Sequence, residues 1–283
     1  MWETVSGTSF VWAAHGEETV EYGRGSFLFE DEIISECSQP VVEVPTLDGP
    51  KVLFSGSFGD CSIEFALSFS AVADAHLGFS LGVVEPGNFN RLALSYASSK
   101  DEGFYGFGAQ YNHLNLKGRR LPIWCQEQGH GRGLKPLSSV LKLTEGNSAG
   151  DWHTTYTCVP FYLTNLRRGF LLENSEYLAF DFTEENRVEA SVFSSELRGR
   201  IVYGATLLDI VEAYTEYSGR MEPLPEWTQQ GAIVRMYGGS TAVVDAVDEL
   251  EGVDCPLAGV WIEDWCGLRS TPFGHRIWWN WVG

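Results

Sequence analysis

The hydropathy of this 283-residue chain changes its period once, and that change limits the folds open to it. Over roughly the first two hundred residues, apolar side chains recur at every second position. Ile63, Phe65, Leu67 and Phe69 form one such row, and Leu77, Phe79, Leu81 and Val83 form another. A period of two is that of a strand burying one face, and rows of this kind belong to stacked antiparallel sheets. Turn punctuation such as Leu47-Asp48-Gly49-Pro50 and Glu85-Pro86-Gly87-Asn88 falls at sandwich spacing. Residues 1–203 are therefore read as an all-β sandwich.

Beyond that point the period is helical. Leu207, Ile210, Val211 and Tyr214 repeat at i, i+3, i+4 and i+7 behind Thr206, a good N-cap, and Gly219 supplies a stop. Pro223-Leu224-Pro225-Glu226-Trp227 then reads as a stiff linker, so that 204–228 is helix and linker. A strand over 232–236, a helix capped by Ser240 and closed by Gly252, and a strand over 257–262 make one strand–helix–strand unit. Its strands should be parallel, since a helical crossover joins them. The whole is a β-rich plus α/β chain, with 229–283 opening a second, parallel domain. A complete (β/α)8 barrel needs about 250 residues, many more than follow Trp227, so the expectation is a barrel cut short.

Charge narrows the partners. Lys and Arg total 19 against 38 Asp and Glu, a formal net charge of −19. Such a chain is repelled by phosphate backbones and by anionic lipid surfaces, which excludes nucleic-acid binding and argues against a membrane partner. No run of about 18 apolar residues occurs that would cross a membrane as a helix. The start, Met1-Trp2-Glu3-Thr4, lacks the basic and apolar regions of a secretory signal. The six cysteines include no Cys-x-x-Cys pair, so reduced thiols in a cytoplasmic protein are expected rather than a zinc knuckle or a disulfide scaffold. The six histidines never fall at metal-ligand spacing, and no metal or organic cofactor is called for. Whether the chain is a monomer or a homo-oligomer is left open.

Three motifs read as structural. Gly146-Asn147-Ser148-Ala149-Gly150 matches a nucleophile elbow in letters, but a polar stretch precedes it where that elbow needs a buried strand. Gly106-Phe107-Gly108 and the glycines at 129, 131 and 133 resemble phosphate cradles, yet neither opens a helix after a strand, so both are expected to be tight loops. Two other stretches carry chemistry. Glu263 and Asp264 leave the carboxyl end of an apolar strand between Trp261 and Trp265, where parallel barrels place their active sites. Indole faces stack on the CH faces of a sugar while carboxylates accept from its hydroxyls. Arg276 and Trp279, three apart, would face one way on a helical turn, and a guanidinium fork beside an indole N–H suits an oxyanion. Capping of a helix by Asp264, or a buried Arg276 stacked on core tryptophans, is the structural alternative.

These segments carry a family resemblance. Phe104-Tyr105-Gly106-Phe107-Gly108-Ala109-Gln110-Tyr111, the loop from Pro122 to Gly133, Pro223-Leu224-Pro225-Glu226-Trp227, and above all Gly259 to Arg269 with Phe273 to Trp281 resemble glycoside hydrolase family 31. Within that family they are most similar to the sulfoquinovosidases. The resemblance covers residues 20–283. It implies a galactose mutarotase-like antiparallel sandwich followed by the first βα units of a (β/α)8 TIM barrel. It also implies sulfonate binding by Arg276 and Trp279 with Glu263 as a third partner, and sugar hydroxyls bound by Asp264. The implied reaction is double displacement with retention by two Asp residues beyond Gly283, so no catalytic residue is assigned within the chain. Two positions depart from the pattern: Tyr237 stands where Gln or Lys is common, and Ala109 where much of the family has Glu. A neutral-sugar α-glucosidase or α-xylosidase, and a non-catalytic carbohydrate-binding sandwich, are the alternative readings.

Overall fold

The computed structural model describes residues 3–23, 26–109, 111–127, 132–133, 136–140, 150–262, 268–271 and 274–277, with the backbone alone at 23, 26 and the last two stretches. The chain divides into two compact units, Met1–Gly219 and Arg220–Gly283.

The first unit is an antiparallel sandwich. One sheet has six strands among the described residues: β1 (Val11–Gly23), β2 (Ser26–Cys37), β8 (Arg91–Ala97), β10 (Arg120–Ile123), β13 (Leu178–Asp181) and β14 (Arg187–Val192), in the order β10-β13-β14-β8-β1-β2. The other has nine: β3 (Pro40–Val42), β4 (Thr46–Asp48), β5 (Lys51–Phe58), β6 (Glu64–Ala73), β7 (His76–Val84), β9 (Phe104–Gly108), β11 (Cys158–Thr164), β12 (Arg168–Leu172) and β15 (Glu196–Tyr203). The two alternating rows of the sequence are register partners: Phe65 opposes Val83, Leu67 opposes Leu81, and Phe69 opposes Phe79. Both rows line the core between the sheets.

Rings dominate that core. Phe104 stacks on Phe182 at 4.3 Å, Phe107 on Tyr162 at 5.4 Å, and Tyr162 on Phe170 at 5.6 Å. Rings this large need backbone to yield elsewhere. A Cβ at Gly199 would stand 2.2 Å from the carbonyl oxygen of Leu171 and 2.6 Å from the ring of Phe79, so only glycine fits there.

Helix α1 (Leu207–Ser218) seats its apolar stripe on the sandwich. Thr206 forms a capping box with Asp209, Gly219 ends the helix at φ 88°, and Ile210 and Ala213 are buried. Tyr214 stacks on Phe161 at 3.9 Å. In the second unit, β16 (Ala232–Met236) pairs in parallel with β17 (Leu257–Ile262), and α2 (Ser240–Gly252) lies between them in sequence. One local expectation is corrected. Gly239, not Ser240, is the N-cap of α2 and no side chain caps it, because Ser240 already lies inside the first turn. Trp261 and Ile262 at the end of β17 are exposed, as is Val244 on α2.

The phenol of Tyr162 is wholly buried, and its hydroxyl finds no partner among the described residues. Burial raises its pKa well above the ordinary value. An orphaned buried hydroxyl costs about 1–3 kcal/mol. Tyr162→Phe is expected to raise unfolding free energy by about 1 kcal/mol in urea titration, while Phe104→Ala should lower it by about 3–5 kcal/mol.

Candidate functional site

The candidate sugar contacts sit at the end of the second unit. Strand β17 runs out through Trp261 and Ile262 directly before Glu263 and Asp264, and these two, with Trp279, lie outside the described residues. Arg276 lies on β19 (Gly274–Ile277), which pairs antiparallel with β18 (Leu268–Thr271). The helical-turn expectation for Arg276 is thereby corrected. Its segment pairs as an extended strand, in keeping with the β-branched and aromatic residues Ile277, Trp278 and Trp279 around it. The register sets Arg276 directly opposite Arg269, so one hairpin carries two arginines at paired positions. Tyr237, exposed, follows β16 at the same carboxyl end of the parallel pair.

Two motifs resolve differently from their letters. Gly106-Phe107-Gly108 is not a loop but the end of β9, with all three residues at positive φ. A Cβ at Gly108 would come 2.5 Å from the carbonyl oxygen of Thr157. The glycines let β9 approach β11 across a register shift between Cys158 and Tyr162. The Gly-x-Ser-x-Gly serine lies outside the described residues, as do Gly129 and Gly131.

A second site, unforeseen from the sequence, lies on the sandwich. A cavity of about 350 Å³ is lined by Phe27, Phe29, Arg120, Trp124, Gln126, Asp151, Trp152, His153 and Tyr177, among others. Strands β2 and β10 are the two edges of the six-stranded sheet, yet both line this cavity, so the sheet curls until its edges meet. Gln126 fastens the junction by accepting from the Phe27 N–H at 2.9 Å. Rings form the wall: Phe29 stacks on Tyr177 at 4.5 Å and lies 5.8 Å from Trp124, itself 5.3 Å from Tyr177. Phe193 closes the row, 5.2 Å from Phe29, under the guanidinium of Arg91 at 3.5 Å.

Arg91 is nearly all buried and is neutralised locally. It donates to Glu18 at 2.6 Å and Asp31 at 2.9 Å, and its hydrogen bond holds the Glu18 carboxyl below the usual range. Burial raises the Tyr177 phenol pKa against the opposing pull of Arg120. Burial also lowers the His153 pKa, with Asp151 opposing. Flat rings beside a guanidinium, an amide and a carboxylate can hold a sugar ring edge and face. The signal for this site was the spacing of Phe27 and Phe29 on one strand face, which does not by itself reveal the distant Trp124.

The cysteines correct another expectation. Cys37 and Cys61 form a disulfide with Cα atoms 6.0 Å apart. Asp60 accepts from the backbone N–H groups of Ser38 and Gln39 at 2.9 and 3.3 Å, which draws the two segments together. The expectation of reduced thiols throughout fails because β-pairing of Pro40 with Phe58, not sequence spacing, sets this contact.

Against known proteins, no family model matches the chain. It is 29% identical over 270 residues to a sulfoquinovosidase of Agrobacterium fabrum, covering 95% of this chain and 39% of that protein. It is 27% identical over 273 residues to a sulfoquinovosidase of Escherichia coli, covering 96% of this chain and 40% of that one. Its fold superposes on a family 31 sulfoquinovosidase from E. rectale, solved with an aza-sugar inhibitor, at a TM-score of 0.86 and 25% identity over 98% of this chain. The chain is thus similar over nearly its whole length to sulfoquinovosidases of glycoside hydrolase family 31, and spans about two fifths of the length of those relatives.

His153 offers a pH test. A histidine with a depressed folded pKa adds stability that is complete above its unfolded value near 6.5 and is lost as pH falls through the folded value. Imidazole NMR of His153 should titrate below pH 6.5, and His153→Gln should flatten the loss of stability on acidification.

Proposed function

We propose that this chain is part of a retaining α-glycosidase that hydrolyses sulfoquinovosides, and that residues 229–283 begin its catalytic (β/α)8 barrel. The observation that carries the reading is the superposition on the family 31 sulfoquinovosidase over both units of the chain. The parallel β16/β17 pair adds to it, since strands of this kind are buried on both faces in α/β folds, whereas Ile233, Val260 and Trp261 are bare here. Glu263, Asp264, Arg276 and Trp279 contact the sugar in this reading, and the two catalytic Asp residues belong to later barrel strands. Retention then requires carboxyls about 5–5.5 Å apart, one attacking the anomeric carbon and one protonating the leaving oxygen.

A sulfonate stays ionised at physiological pH, so a permanent cation is its fitting partner. Arg276 supplies one, with a fork able to hold two sulfonate oxygens. Hydrogen bonds to charged groups contribute about 1.5–3 kcal/mol each, and losing two costs on the order of 10² to 10⁴ in kcat/KM. In the complete enzyme, Arg276→Leu should lose at least about a hundredfold in kcat/KM on an aryl sulfoquinovoside and much less on the matching glucoside. Equal losses on the two substrates would make Arg276 structural and hand the lead to a neutral-sugar glycosidase.

The ring-walled cavity favours one further reading, that the sandwich itself holds a sugar. Titrating sulfoquinovose or glucose into the chain should quench tryptophan emission in the wild type and much less in Trp124→Phe. No response to either sugar would remove the sandwich from carbohydrate recognition.

A further inference from the structure

The thiols of Cys125 and Cys158 lie 3.1 Å apart, thirty-three residues distant in sequence. Neither takes part in the disulfide already formed. A disulfide needs its sulfurs about 2.05 Å apart, so a shift of about 1 Å would join them. The backbone already holds the two segments in place. Cys125 bridges Thr155 in parallel, the Gln126 N–H donates to the Thr155 carbonyl at 3.0 Å, and the Cys158 N–H donates to the Cys125 sulfur at 3.4 Å. Cys125 is exposed and Cys158 half-buried.

We propose that Cys125 and Cys158 form a reversible redox couple, oxidised by a low-molecular-weight disulfide such as glutathione disulfide and reopened by thiols. The Cys125 thiolate attacks one sulfur of the incoming disulfide. That S–S bond breaks, a mixed disulfide forms on Cys125, and one thiolate leaves and takes a proton from water. Cys158 then gives its proton to solvent and attacks the Cys125 sulfur, expelling the second thiolate. Two cysteine thiols are oxidised and one glutathione disulfide is reduced to two glutathiones.

The order follows from the surroundings. Burial, then the hydrogen bond and charge of Cys125, pushes the Cys158 thiol up to about 12, so Cys158 does not start the exchange. Once Cys125 is capped, both of its contributions vanish, burial alone still holds the Cys158 thiol up, and Cys158 ionises more readily than before. The bond staples the segment of Trp124 and Gln126, which line the ring-walled cavity, to the start of β11. The couple is independent of the proposed glycosidase chemistry, which uses neither sulfur.

The full chain would be incubated with glutathione disulfide, quenched by alkylation and mapped by peptide mass spectrometry, with Cys255 as an internal control. The expected result is a Cys125–Cys158 linked peptide that dithiothreitol reopens. In Cys158→Ser, a glutathione adduct should accumulate on Cys125, and Cys125→Ser should leave Cys158 unmodified. A wild type in which Cys125 keeps its glutathione adduct, or in which both thiols remain free to alkylate, would overturn the proposal. The wild-type map decides by itself if either variant fails to fold.

Discussion

The aromatic seam between the two sheets is the constraint from which the rest of the sandwich follows. Phe104, Phe107, Tyr162 and Phe170 come from the nine-stranded sheet, and Phe180 and Phe182 meet them from the other side. Because successive strand residues alternate faces, fixing Phe180 inward fixes Tyr177 outward on the same run. Leu121 and Ile123, buried inward on β10, likewise send Arg120 and Trp124 to the outer face. The ring-walled cavity is thus the reverse side of the core's own register. A one-residue slip in β10 or β13 would dissolve both at once.

The outer face is itself partly buried, which is unusual for a sandwich sheet. Arg91 and Ala93 on β8 are as inaccessible as the inward Leu92 and Leu94 beside them. Curling of the sheet covers them, and curling demands that the polar groups caught inside be matched. Glu18 and Asp31, from β1 and β2, meet the Arg91 charge, while Phe193 takes the flat of its guanidinium. Removing either acid would leave a buried cation short of a partner, and the curl that brings β2 to β10 would be strained for it.

Much of this was legible in the sequence because it rests on local periodicity. The rows around Phe65 and Phe79, the Thr206 cap and the parallel unit over 232–262 each follow from a repeat contained within one or two elements. What escaped depends on contacts between distant segments. The Cys37–Cys61 bond, the Cys125–Cys158 approach and the meeting of Phe27 with Trp124 join residues whose spacing carries no pattern. Gly106-Phe107-Gly108 misled for a related reason. Its glycines look like a loop, but they answer steric demands set by Phe161 on β11 and by Thr157 just before it. The segment of Arg276 read as helical because three-residue spacing is a helical signal, while its pairing with β18 is a matter of the hairpin as a whole.

Charge poses the remaining question for the proposed function, since a chain with a formal charge of −19 is an unpromising host for a sulfonated sugar. Long-range steering would oppose the ligand, yet at physiological ionic strength the Debye length is about 8 Å, so acids scattered over the surface lose their reach. In the proposed reading, what decides binding is then the charge within a few ångströms of the sulfonate. The β18/β19 hairpin sets Arg269 opposite Arg276, and like charges at directly paired positions disfavour a strand pair. In the proposed reading, an anion bound at this pairing would offset that cost, and a neutral sugar would not. Under the proposed function, discrimination by charge would therefore rest on this arginine-bearing hairpin and not on the acidic surface around it.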